Sequence, residues 1–415
     1  MRNKIKIALH LIIFAVLLGT VLLNVSNVLG RKYSKQKHGN YIENPEDYDV
    51  IFLGTSHVIN GINPMEIYKE YGVASYNLAN HACPMALTYW VFKNSLEVNT
   101  PKLVVVDLYA LNWENKLDKN IDYAHDALDA FSLNLTKWQC AWDLFDNLDD
   151  RMQMVFPFAK YHGRWNEIKK EDFYIAKNIA AGWQFRMGIN TEIKKPELPD
   201  EGALPEKKTL SMEYLERLVT ECKERDIDVL LCYIPCAEKT ENQVYGNYGY
   251  VLAEEYGLNY FNLAKVDSLV DYGIDFFDEA GHLNTSGAKK VSSALGDFII
   301  SNYPVTDCRT TDKAKSWDDS YEIYFKSYVA NMQARNSADD YLMMLNNVNL
   351  EADIYLNCDV TREDVPLLFK LIDNLNGDVL KKVDENWESE DADIRIVVRR
   401  KDTGELVGEK SFSFS

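Results

Sequence analysis

Five short, mostly apolar runs punctuate the middle of the chain, at residues 50–53, 74–78, 103–107, 229–234 and 260–262. Unbroken apolar runs of this length mark strands buried on both faces of a parallel sheet. Amphipathic stretches at 65–71, 85–96, 212–225, 241–256 and 286–302 alternate with them and read as helices. Gly257 stops the fourth, and Thr285 or Ser286 is positioned to cap the last. A strand–helix alternation of this kind predicts a doubly wound α/β domain over residues 49–305, with about five parallel strands in a three-layer fold. Between about 113 and 210 the rhythm breaks into aromatic and charged sequence. That stretch predicts a mostly helical insertion after the third strand, at the sheet edge where such folds build pockets.

The two ends follow other patterns. Residues 7–29 are apolar apart from His10 and a few small polar positions, long enough to cross a bilayer as a helix. Basic residues flank the run on both sides, so the charge bias does not orient it. The run exceeds a usual signal-peptide core and lacks a clear small-x-small cleavage site, which favours an uncleaved anchor over residues 1–30. Residues 31–48 read as a polar tether and 306–316 as a polar linker. Residues 317–415 read as a small α+β domain: alternation at 352–357, a helix at 365–375, and strands at 392–399 and 406–414 joined by a turn at 401–405.

Composition narrows the function classes. A hydrophobic content of 47% over 415 residues supports a sizeable core. The net charge of −19 argues against a nucleic-acid partner, which needs a basic surface. The seven cysteines are scattered and read mostly as buried small hydrophobes, with one disulfide allowed and none assignable. No ligand cluster suggests a metal, and no Gly-rich phosphate loop follows the first strand.

Candidate chemistry lies in two distant stretches. The first strand ends in Gly54-Thr55-Ser56-His57, which sets a serine on a tight turn at the carboxyl end of the sheet. A serine needs a base within hydrogen-bond reach and an acid to orient that base. Asp278 and His282, four residues apart just before the last helix, fit those roles, with Asp275 and Glu279 as alternative acids. His57 reads as an oxyanion or pocket residue. Within the insertion, His162, Arg164 and Trp165 concentrate polar-aromatic chemistry and are candidate pocket residues.

Taken in order, Gly54-Thr55-Ser56-His57, Asn77-Leu78-Ala79-Asn80-His81 and Asp278 to Asn284 resemble the SGNH/GDSL hydrolase superfamily. The resemblance covers residues 49–303. It is closest to membrane-anchored bacterial proteins of cell-envelope polymer modification, such as D-alanyl transfer and alginate acetylation proteins. The segment 161–165 is similar to one seen in that group. The resemblance implies a flavodoxin-like fold with Ser56 as nucleophile, His282 as base and Asp278 as acid. That family's acid usually stands three residues before the histidine, where this chain has Glu279. Asn80, His81 and Asn112 fall near the family's oxyanion positions. The implied activity is O-acyl transfer, of acetyl above all, to an envelope polysaccharide through an acyl-Ser56 intermediate, without a cofactor. A membrane-bound O-acyltransferase is the implied partner, and a single-pass protein with its catalytic domain outside the cytoplasm is the implied topology. An esterase with the same triad, and a glycan-binding scaffold, are the competing readings.

Overall fold

The computed structural model describes residues 2–30, 32–43, 48–174, 178–375 and 377–414. At its centre lie β1 (Val50–Leu53), β2 (Ser75–Asn77), β3 (Leu103–Asp107), β4 (Asp228–Tyr233) and β5 (Asn259–Asn262). They form one parallel sheet in the order β2-β1-β3-β4-β5. Side chains alternate between its faces. Ile51, Leu53, Val104 and Val106 feed one apolar layer, and Val50, Phe52, Leu103 and Val105 the other. Each fully buried side chain of this size contributes ~1.5–3 kcal/mol. The helices Met85–Ser95 and Leu210–Glu224 cover the first face, and Ser56–Gly61 and Thr285–Asn302 the second. The strand order reverses direction at β1 and β3, which opens a crevice at their carboxyl ends.

Local chemistry explains several boundaries. Pro64 starts the helix Pro64–Tyr71, Asn63 caps it by accepting from the Met65 amide, and left-handed Gly72 ends it. The last helix of the parallel-sheet region, Thr285–Asn302, is capped by Asn284, not by Thr285 or Ser286: its side chain accepts from the amides of Ser286 and Gly287. The helix expected over 241–256 is broken into Thr240–Gln243, a 3-10 turn Val244–Asn247, and Tyr248–Tyr256. Gly246 meets the Tyr233 ring there, where an added Cβ would lie 2.6 Å from it.

The insertion is helical only in its first half, with Asp122–Leu128, Leu135–Leu144, Leu148–Val155 and Phe158–Tyr161. From 178 to 209 the chain runs in turns and extended segments. Pro196, Pro199 and Pro205 bar a helix over the second half of this stretch, since each removes a helical donor.

The C-terminal sheet holds β6 (Leu350–Asn357), β7 (Leu380–Trp387), β8 (Ile394–Arg400) and β9 (Leu406–Phe412) in the order β7-β6-β8-β9. The β8–β9 hairpin matches the expected turn, and only β6–β7 is parallel. The apolar core runs without a break from Leu53 and Val106 to Ile354 and Val398. Residues 306–316 do not behave as a free linker. The Cys308 amide donates to the Gly72 carbonyl and Arg309 to that of Lys69, so the segment is tied to a helix end. Buried Glu66 joins the two sheets' surroundings, accepting from Tyr324, Asn347 and the Val348 amide. Six cysteines are buried, Cys358 is exposed, and all seven are free thiols.

At the other end, the helix Arg2–Leu29 is long and apolar enough to cross a membrane. The expected tether is instead a second helix, Tyr33–Glu43, with Lys37, His38 and Tyr41 buried. Two of its buried polar residues hydrogen-bond to the segment after β2. Lys37 Nζ donates to the Ala79 carbonyl, and His38 Nε2 to Asn80 Oδ1 at 3.1 Å. Burial pulls Lys37 down to about 7.

Candidate active site

Gly54 sets the serine turn. Its φ of +150° is one that side chains rarely adopt. A Cβ there would lie 2.6 Å from Val58 and 3.1 Å from Asp107. Thr55 then caps the helix Ser56–Gly61, its hydroxyl accepting from the His57 amide. Ser56 therefore occupies the first helical position at the mouth of the crevice, half-buried. Its amide belongs to the first turn, which has no acceptor within the helix.

His282 arrives from a small hairpin between β5 and the last helix. Phe276 bridges Leu283, the Phe277 amide donates to the His282 carbonyl, and left-handed Gly281 makes the turn. A Cβ on Gly281 would fall 2.3 Å from the Ala237 nitrogen. The turn brings Ser56 Oγ within 2.7 Å of His282 Nε2. On the far side of the ring, His282 Nδ1 donates to Asp278 Oδ2 at 2.7 Å. The same carboxylate accepts from the His282 amide at 3.1 Å through Oδ1, which fixes both ends of the residue. Serine, imidazole and carboxylate thus form one continuous relay.

The two alternative acids lie elsewhere. Glu279 is exposed, and Asp278 occupies the place beside the ring. Asp275 is fully buried, but its carboxylate holds Ser286, Lys290 and the Asp271 amide. It fastens the hairpin and last helix together.

His57 lies directly behind the relay, its ring stacked on His282 at 4.5 Å and packed on Tyr109 at 3.9 Å. Burial, and secondarily the neighbouring His282, hold its imidazole well below the usual value, so the ring is neutral. It shapes the wall that keeps His282 upright. Tyr109 was not singled out in the sequence. Asn112, one turn further along the same 3-10 segment, is half-exposed and lies away from the relay.

Asn80 is committed to the local backbone. Its amide donates to the Gly54 carbonyl, its side-chain nitrogen to the Leu78 carbonyl, and its oxygen accepts from His38. It buttresses the serine turn instead. His81 lies at the pocket edge, donating from Nε2 to Gln184 Oε1 at 3.0 Å. Burial and the charge of Lys37 bring it down to about 4. Gln184 also accepts from Arg186, whose guanidinium lies 5.9 Å over the Phe277 ring, and Phe277 stacks on His282. Gln184, Arg186 and Phe277 therefore border the site. Two of them lie in the irregular part of the insertion, where no periodicity could single them out.

His162, Arg164 and Trp165 do not join the site. His162 Nδ1 donates to the Ala159 carbonyl, Arg164 bonds the Leu29 carbonyl and Asp172, and Trp165 is 71% exposed. All three sit at the end of the long apolar helix.

No protein-family model matches this chain, and no curated protein matches it. One solved structure found by comparison is an acetyl xylan esterase (Est2A) from the rumen bacterium Butyrivibrio proteoclasticus. It aligns over 61% of this chain and 64% of its own length, at 9% identity and a TM-score of 0.27. This chain thus spans under two thirds of that esterase. A likeness at that level leaves fold and chemistry to rest on the chain's own geometry.

Proposed function

We propose that this protein is a serine-dependent acyl-transferring enzyme of the SGNH kind, an esterase in its chemistry and a transferase where a sugar hydroxyl replaces water. The observation that carries the reading is the relay Ser56–His282–Asp278, with both links at 2.7 Å. Its setting supports the reading as well: a serine after β1, a histidine hairpin before the last helix, and a parallel sheet in the order 2-1-3-4-5.

In the first step Ser56 Oγ attacks the acyl carbon of an ester while its proton passes to His282 Nε2. Asp278 stabilises the imidazolium that forms. The carbonyl oxygen gathers negative charge, and the Ser56 amide is the nearest backbone donor for it; one such donor is worth about 3 kcal/mol. The ester bond then breaks, and the leaving alkoxide takes the proton from His282. In the second step an incoming hydroxyl gives its proton to His282 and attacks the acyl carbon; the bond to Ser56 Oγ then breaks, and Oγ takes the proton back from His282. Neutral His57 adds no competing charge beside the imidazolium.

The reading includes single-pass anchoring by the apolar helix with the domain outside the cytoplasm, and it is supported by a helix long and apolar enough to cross a membrane; such chemistry would then act at an envelope surface. An envelope polysaccharide is then the acceptor class, acetyl the acyl group, and a membrane-bound O-acyltransferase the donor partner. The test is p-nitrophenyl acetate with and without a short oligosaccharide, comparing the wild type with Ser56→Ala. Nitrophenol release that disappears in Ser56→Ala supports the acyl-serine, and acetylated sugar by mass supports transfer. Equal release from both proteins would remove the proposal.

A further inference from the structure

The helix that can cross a membrane is longer than a membrane core. Asn3–Leu29 holds 27 residues, which at 1.5 Å per residue is ~40 Å, against a hydrocarbon thickness of ~30 Å. The excess of about 10 Å, roughly seven residues, is enough to carry the helix ends into the headgroup zone. At the Leu29 end those last turns are not bare. The segments Phe158–Tyr161, His162–Asn166 and Lys170–Phe173 pack against the helix. Leu22 and Val28 are half-buried and Leu29 buried, whereas the apolar residues from Ile5 to Leu18 are exposed. Arg164 bonds the Leu29 carbonyl, and Lys32 Nζ caps the helix end through the carbonyls of Val28 and Gly30.

This collar has its large side chains turned outward. Trp165 and Phe173 are each 71% exposed, Tyr174 69% and Ile168 40%. Exposed rings are costly in water and favoured at the level of lipid headgroups. We propose that residues 158–174 form a docking face that inserts Trp165, Ile168, Phe173 and Tyr174 into the headgroup–acyl boundary of the bilayer crossed by Asn3–Leu29. The inference rests on the reading of that helix as a membrane span. The occupant is a lipid surface rather than a protein partner because the face is continuous with the span. Lys160, Arg164, Lys169 and Lys170 are nearly balanced by Glu167, Glu171 and Asp172, so insertion is driven by the rings and depends little on lipid charge.

Docking has a consequence for the serine site. Only three residues lie between Leu29 and Tyr33, so the two are at most ~14 Å apart along the chain. The Tyr33 hydroxyl accepts from Gln184, which also holds His81 and Arg186 at the pocket edge. The helix carrying Tyr33 is fastened to the serine turn's surroundings by Lys37 and His38. Docking would thus tie the rim of the serine site to the lipid-facing end of the helix through Tyr33 and Gln184, suited to a substrate presented at the membrane.

The experiment uses the full chain with Cys358→Ser, which removes the exposed thiol and leaves the six buried ones. Spin labels are attached singly at Trp165→Cys, Leu17→Cys and Lys401→Cys, and the protein is reconstituted in vesicles of phosphatidylcholine, alone or mixed evenly with phosphatidylglycerol. Collision with oxygen and with a water-soluble nickel chelate reports depth. The expected result is a label at 165 of intermediate depth in both lipids, between a deep one at 17 and an aqueous one at 401. An aqueous label at 165 overturns docking; label 17 then shows whether the face alone failed or the span failed with it. A label at 165 shielded from both reagents, with spin–spin broadening, would also overturn it by showing a second copy on the face.

Discussion

The serine site and the collar are built from similar parts and use them in opposite ways. Each combines a histidine, an acid, a guanidinium and aromatic rings. At the serine site the polar groups point at one another: Ser56 to His282, His282 to Asp278, each at 2.7 Å. The rings of His57, Tyr109 and Phe277 are packed behind them. In the collar the polar groups are absorbed by structure, with His162 on a backbone carbonyl and Arg164 on a helix end and Asp172. There the rings face outward. The same residue types thus form a hydrogen-bonded relay when a strand end and a hairpin aim them inward, and an exposed aromatic face when short helices turn them out.

The largest expected effects break the first region. Ser56→Ala or His282→Gln should lower kcat for ester cleavage by about 10⁴-fold or more, measured with a chromogenic acetate. Asp278→Asn should cost roughly 10³- to 10⁴-fold by loss of ring orientation, while Glu279→Gln stays within about twofold, as expected of an exposed residue. Reversed effects at 278 and 279 would reassign the acid. His57→Leu removes the ring behind His282 and should cost up to ~10²-fold in kcat with little change in KM. His57→Phe, which keeps the stack, should recover most of it; failure of that rescue would point to the imidazole itself.

Much of this contrast was invisible in the sequence. The first four strands were legible because they are buried on both faces, which leaves apolar runs with no alternation, whereas the edge strand β5 is half-exposed and was marked mainly by the Gly257 stop before it. Ser56, His282 and Asp278 were legible because a strand end and a helix start bracket them. Which of Asp275, Asp278 and Glu279 lies beside the ring is visible only in the hairpin, whose Gly281 turn puts Asp278 there. Asn80 resembled an oxyanion donor by position, yet its amide is bonded to the Gly54 carbonyl. His162, Arg164 and Trp165 looked like pocket residues because composition does not say which way a segment faces. Gln184 and Arg186 lie in chain without periodicity and became meaningful only through what they touch.

Smaller effects sharpen the picture away from the reaction. Burial raises the Glu66 carboxyl from 4.5 to about 7, despite its donors at Tyr324, Asn347 and Val348. A group raised on folding contributes its full stability below its unfolded value and loses it as pH rises toward the folded one. Thermal melts should therefore show this contribution declining between about pH 4.5 and 7, and Glu66→Gln should flatten that part of the profile. An unchanged slope would place the titration elsewhere. The smallest expected effect is that of His162→Ala, within about twofold in kcat; a large loss would return the collar to the substrate pocket.

The central claim is that the relay makes one serine nucleophilic, and it is tested most directly by covalent capture. The full-length protein is treated with a fluorophosphonate and examined by intact mass and peptide mapping. The account predicts a single adduct on Ser56 that forms at neutral pH and disappears in His282→Gln. An unlabelled protein, an adduct on another residue, or labelling of Ser56 that persists without His282 would contradict it.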